Sequence, residues 1–176
     1  KMITCGVTVA LPRLRALPGP AMSFSRVLAK MKTAMLHFCL SIQLLLPNVC
    51  VAEILPWRRI KVLDDGPVWC LGYMGWRGLT LPVVHYGGFD EETAARQTPR
   101  CLIVMNRTRA SGRVEFYAMA ADSLPRMVQL VEEDITSADG KLGSADAMLV
   151  SFGTEAATIP DLSYVETQVA ALVKGL

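Results

Sequence analysis

The chain has 176 residues, 52% apolar and 19% charged, with a mean hydropathy of +0.34. That size allows one domain, or two small lobes on a shared core. No run approaches the roughly 18 uninterrupted apolar residues of a membrane-spanning helix; the longest, Met35 to Leu46, is broken by His37, Ser41 and Gln43 and stopped by Pro47. So high a hydropathy implies a generous interior or apolar surface reserved for a partner.

The net charge of +2 conceals a split. Residues 1–36 carry six basic residues and no acid, which leaves twelve basic residues and all sixteen acids for residues 37–176, a net of −4. A mildly acidic body lacks the electrostatic footprint of a nucleic-acid binder. Residues 1–35 read as a basic leader outside the fold, a disordered or non-native extension with Met22 and Met35 as possible starts. Several Arg and Ser without acids is also the composition of a targeting segment. The folded domain is expected over 36–176.

Five cysteines, Cys5, Cys39, Cys50, Cys70 and Cys101, form no C-x-x-C pair, so the spacing of a metal cluster is missing and no metal or cofactor is expected. All but Cys5 sit in apolar, strand-like runs, where a free thiol behaves as a small hydrophobe. The pattern fits a reducing compartment and predicts a cytoplasmic protein.

Short strands recur from about residue 36. Met35–Leu46 and Val49–Leu55 are expected to pair across the Pro47-Asn48 turn. Trp57-Arg58-Arg59 opens a polar connection that closes at Asp64-Asp65-Gly66-Pro67. Val68–Met74 and Leu79–Tyr86 read as a hairpin, and Gly87-Gly88 begins a charged loop to Thr98. Strands follow at Cys101–Asn106, Arg113–Ala121 and Arg126–Val131. Glu132–Asp146 is acidic and glycine-containing, so a loop is expected there. Ala147–Phe152 and Ala156–Ile159 form a last hairpin. Strands so short and so evenly spaced predict barrels or a sandwich. The period then changes: Val165, Val169, Leu172 and Val173 share one face of a helix. Ser163-x-x-Glu166 reads as its capping box, and Gly175 as its stop.

Gly75-Trp76-Arg77-Gly78 is the most informative stretch. Bulky residues resist positive φ, so a type I turn over Trp76 and Arg77 with Gly78 left-handed is expected. Both side chains then project from the tip, and Trp and Arg are the residue types that dominate binding hot spots. The alternative is that Trp76 folds back and Arg77 makes an internal ion pair. Pro82 cannot donate to a ladder, so a neighbouring strand edge must be open or interrupted.

The run Gly72-x-x-Gly75-Trp76-Arg77-Gly78-x-x-Leu81-Pro82-Val83-Val84 resembles the central motif of CheW-like domains. Leu45-Leu46-Pro47-x-x-x-Val51-Ala52-Glu53-Ile54 is similar to the family's second strand, and the likeness extends over about residues 36–166. Pro47-Asn48-Val49 and Pro56-Trp57 look most like the adaptors of type IV pilus (twitching) chemosensory systems. His85 stands where an acidic residue is usual, and Tyr86 where an aliphatic is common. The resemblance implies a mainly β fold, two small five-stranded β-barrel lobes sharing an apolar core, with a C-terminal α-helix. It further implies a non-catalytic adaptor joining a chemoreceptor's cytoplasmic tip to a histidine kinase, peripheral to membrane arrays through those partners. Arg77 and Gly78 would hold or present the contact surface. Gly75, Trp76 and the Trp57-Arg58-Arg59 corner are this chain's further candidates for partner contact.

Other chemistries are poorly served. A Cys/His hydrolase assembled from Cys70 or Cys101 with His85 lacks a third orienting group. Asp64-Asp65 and Glu132-Glu133-Asp134 read as solvated loop charge. The remaining alternative is a small nucleic-acid-binding barrel gripping phosphates with its basic leader.

Overall fold

The computed structural model describes residues 35–40, 42–90, 98–107 and 115–174; residues 1–34 of the leader and Gly175 lie outside them, while Met35 opens the first strand. Twelve strands are described: β1 (Met35–Leu40), β2 (Ile42–Pro47), β3 (Val51–Pro56), β4 (Lys61–Val62), β5 (Cys70–Trp76), β6 (Leu79–Val84), β7 (Cys101–Asn106), β8 (Phe116–Ala121), β9 (Arg126–Val128), β10 (Ile135–Ser137), β11 (Asp146–Phe152) and β12 (Glu155–Pro160). One helix, α1 (Leu162–Lys174), follows.

The strands form two six-stranded sheets. A central sheet, made from the middle of the chain, runs β3-β7-β8-β6-β5-β4. A terminal sheet, made from the two ends, runs β10-β11-β12-β2-β1-β9. The expected five-stranded barrels are therefore corrected to open sheets, since no ladder among the described residues joins either pair of edge strands. Yet both sheets must curl. The edges of the central sheet, β3 and β4, are consecutive in the chain and joined by residues 57–60 alone. Those of the terminal sheet, β9 and β10, are joined by residues 129–134. Each short connection can span only about 3.5 Å per residue, so opposite edges are drawn back together without pairing.

Curling gives each sheet two buried faces. In β7, Cys101, Ile103 and Met105 enter the core shared with the other sheet, while Leu102 and Val104 enter the central sheet's own smaller core. In β2, Leu44 and Leu46 face the shared core and Leu45 the terminal sheet's own core. Strands buried on both sides lose polar alternation and read as continuous apolar runs. Much of the high hydropathy of this chain is that double burial.

Pairing differs from the sequence expectation at the start. Met35–Leu46 is not one strand but two: β1 and β2 pair antiparallel, with Leu40 opposite Ile42. β3 then pairs with β7 rather than with its predecessor. Glu132–Asp146 is not wholly a loop either, for it contains a 3-10 turn at Glu132–Asp134 and edge strand β10. Arg126–Val131 shortens to β9. Pro82 behaves as expected: the parallel β6–β8 ladder consists of Val83 opposite Ala118 and Val84 opposite Met119, and begins only after the proline.

The helix docks as its periodicity predicts, with Val165 and Val169 fully buried in the shared core and Leu172 packed against it. Its cap is different. The Asp161 carboxylate accepts hydrogen bonds from the backbone N–H of Ser163 (2.9 Å) and Tyr164 (3.0 Å). Asp161 therefore satisfies two orphan donors of the first turn, from a position two residues before the Ser163 of the expected box. Tyr86 and an adjoining aromatic group hold the two sheets together. The Tyr86 hydroxyl lies 2.7 Å from both the Ala145 carbonyl and the Asp146 carboxylate. Phe89 stacks on Trp69 at 5.1 Å and meets the Tyr164 ring edge-on at 5.8 Å.

At Gly72 the backbones of β4 and β5 approach closely. It has φ of 137°, sits at the register shift in β5, and a Cβ there would lie 2.0 Å from the Lys61 carbonyl oxygen. Both the dihedral and the contact forbid a side chain. Gly72→Ala is therefore expected to lower stability by more than about 2 kcal/mol, measured by urea denaturation. A loss below about 0.5 kcal/mol would show that β4 does not lie this close to β5.

A clasp at the tip of the central hairpin

β5 runs through Trp76 and β6 starts at Leu79, with those two residues paired. The turn is Arg77-Gly78 alone, and both have positive φ, 47° and 80°. This is the backbone signature of a two-residue type I′ hairpin, not the type I turn with a glycine bulge anticipated above. A non-glycine residue in the left-handed region costs about 1 kcal/mol or more, so other interactions must hold Arg77 there.

Glu53 supplies them. It lies on β3, at the opposite edge of the sheet order from the β5 hairpin, yet its Oε2 accepts from the Trp76 indole Nε1 at 2.8 Å and from the Arg77 guanidinium at 3.0 Å. The guanidinium also lies over the Trp76 ring, with Cζ 4.8 Å from the ring centroid. Trp76 itself is buried, only 7% exposed, and packs against Phe116 with centroids 5.0 Å apart. The expectation that Trp76 projects outward is thus corrected: its ring fills the central sheet's own core, because a curled sheet offers it an apolar interior and a carboxylate for its N–H. Arg77 does project, its side chain 69% exposed although paired with Glu53. Gly75 and Gly78 flank it, both exposed.

The Trp57-Arg58-Arg59 corner bridges the open edges of the same sheet. Its backbone continues the β3–β7 pairing through the Trp57 N–H, which donates to the Arg100 carbonyl at 3.0 Å. Trp57 and Ile60 turn inward and pack on the Trp76 core, while Arg58 and Arg59 are exposed. The structure therefore brings all seven candidate positions onto one curled sheet. Sequence reading missed Glu53 as the organiser. The Glu was visible in the Val51-Ala52-Glu53-Ile54 run, but its link to a turn 24 residues away depends on the curl.

Among the described residues the thiols of Cys50, Cys70 and Cys101 are not set up for nucleophilic work. Burial pushes the Cys50 thiol up to about 11, with the Glu166 charge adding to it. Burial likewise raises Cys70, partly offset by a backbone hydrogen bond at Gly72, and raises Cys101 together with the Asp122 charge. A nucleophilic cysteine needs the opposite shift. His85 is buried, and its backbone N–H donates to Trp69. Among the described residues no group of three or more His, Cys, Asp or Glu is arranged to hold a metal ion. No described helix is long and apolar enough to cross a membrane.

Comparison with known proteins agrees with this geometry. The family model for the CheW-like domain matches residues 35–164, spanning both sheets and the start of α1. No curated protein matches the chain in sequence. Among solved structures, the scaffolding protein TtCheW from Thermoanaerobacter tengcongensis is similar in fold, with a TM-score of 0.59 at 13% identity, over 74% of this chain and 84% of that one.

The clasp gives two substitutions different weights. Glu53→Ala strands the part-buried indole N–H and is expected to lower stability by about 1–3 kcal/mol. Arg77→Ala removes only a mostly exposed ion pair, and should lower it by less than about 1 kcal/mol. Chemical denaturation of the two variants checks the order; Arg77→Ala proving the more damaging would contradict the assignment. A curled central sheet, closed at its tip by Glu53 and matched over both lobes by one family model, places this chain in the CheW-like domain family.

Proposed function

We propose that the chain is a non-catalytic chemotaxis adaptor that ties a chemoreceptor's cytoplasmic tip to a histidine kinase. The observation that carries this reading is the Glu53–Trp76–Arg77 clasp within a CheW-like domain. It fixes an exposed guanidinium in one place on a rigid hairpin, which is how a contact residue is prepared for binding without a large ordering cost. No reaction step is assigned. The mechanism is positional: receptor and kinase held on one body can bias each other's conformation through the free energy of their contacts.

Arg77, Gly78, Gly75 and the exposed Arg58 and Arg59 are assigned to partner contact. Trp76 and Trp57 support them from beneath rather than touching the partner with their full rings. Within this class we assign the chain to a twitching-motility (type IV pilus) system, on Pro47-Asn48-Val49 and Pro56-Trp57. The working unit is residues 36–176, on the cytoplasmic side of a receptor array.

A pull-down with the kinase regulatory region and the receptor tip tests the reading. Wild-type protein should retain at least one of them. Arg77→Ala should weaken retention by about five-fold or more, with the melting temperature nearly unchanged. Ala is a cleaner probe than Glu, because a carboxylate at position 77 would repel Glu53. Folded wild-type protein that retains neither partner would refute the adaptor reading.

A further inference from the structure

The Trp57-to-Lys61 corner has a property that the clasp does not explain. Arg58, Arg59 and Lys61 are exposed, and so is Arg100, the residue opposite Trp57 across the β3–β7 pairing. None of the four side chains makes an ion pair among the described residues. This holds on a body whose formal charge over residues 37–176 is −4, so the cations are not one sample of a generally basic surface. Trp57 and Ile60 anchor the backbone beneath them in the central sheet's core, which fixes the corner relative to β7.

The backbone beside the corner adds to this. Pro56 is opposite Cys101, and the Trp57 N–H bonds to Arg100. Antiparallel alternation then turns the N–H and C=O of Leu55 toward β7 and those of Ile54 away from it. The free side of β3 carries the Ile54 donor and acceptor, but the curl turns that side toward β4, and Pro56, with no N–H, falls on the same unladdered side. An incoming strand can pair over a short length only, so most of its hold must come from charge.

We propose that this corner is a docking site for a short, extended acidic segment of a partner protein. An extended chain presents carboxylates on one side about every 7 Å. Arg58, Arg59 and Lys61 span roughly 10 Å of chain by the same rise, so two or three alternating carboxylates match them, with Arg100 at the flank. Nucleic acid fits less well, because a long polyanion would have to lie across an acidic body. The proposal extends the contact role of Arg58 and Arg59, and it is tested without kinase or receptor, so the two readings fail separately.

The experiment uses the full chain and a fluorescein-labelled short peptide alternating Glu and Thr, followed by anisotropy. A matched peptide alternating Gln and Thr is the control, and oligothymidylate and phosphatidylglycerol vesicles are the competing probes. The acidic peptide should bind, and raising salt from about 50 mM to about 500 mM should release it. The double variant Arg58→Glu/Arg59→Glu should weaken binding about ten-fold. Arg58→Gln/Arg59→Gln should give an intermediate loss with an unchanged thermal melt. No binding of the acidic peptide, equal binding of the Gln/Thr peptide, or acidic-peptide binding unchanged in Arg58→Glu/Arg59→Glu would overturn the proposal. So would retention of oligothymidylate or vesicles in place of the peptide.

Discussion

One carboxylate oxygen of Glu53 joins the two sides of the curled central sheet at its hairpin tip. By ladder pairing alone, β3 and the β5–β6 hairpin are far apart, separated by β7 and β8. Through Glu53 they meet, and the meeting has two consequences. The indole N–H of Trp76 gains an acceptor, so a large ring can be buried without an unsatisfied donor. The Arg77 side chain gains a fixed position, which helps hold its backbone at a φ that arginine otherwise avoids. Packing, turn geometry and exposure at the candidate site all follow from this contact.

The same architectural solution appears twice. Each sheet is open as a ladder but has edge strands consecutive in the chain, so each bends around a small core of its own while sharing a larger one. The connecting segments differ in chemistry. Residues 57–60 plug the central core with Trp57 and Ile60 and expose two arginines. In residues 129–134, Leu130 packs toward the terminal core while Glu133 and Asp134 are exposed. Tyr86, at a position where the family resemblance leads to an aliphatic, uses its hydroxyl to reach Asp146 on the other sheet. Burial, then the Asp146 bond and the nearby Asp146, Asp90 and Asp161 charges, hold that hydroxyl well above the usual range, which keeps it a donor.

Much of this was legible in the residues. The β5–β6 and β11–β12 hairpins, the interruption at Pro82 and the apolar face of α1 follow from periodicity and turn chemistry, which are local. What was not legible depends on contacts between distant segments. A continuous apolar run such as Met35–Leu46 does not say whether it is one strand or two, because without alternation nothing in it marks where a strand ends. The helix cap fell to Asp161, two residues before the Ser that a motif would choose, since side-chain geometry decides between neighbouring candidates. The fate of Trp76 turned on Glu53, 23 residues away, and nothing local shows whether a tip aromatic has an interior to enter.

The most direct test of the central claim, that Glu53 acts on the contact surface by holding Arg77, is a double-mutant cycle in partner binding. Glu53→Gln keeps an acceptor for the indole while removing the charge facing Arg77. Retention of the kinase regulatory region by Glu53→Gln, Arg77→Ala and the double variant would be compared with wild type. If Glu53 works through Arg77, the double variant binds about as weakly as Arg77→Ala alone. Losses that simply add would mean that the two residues contribute independently, and would contradict the clasp.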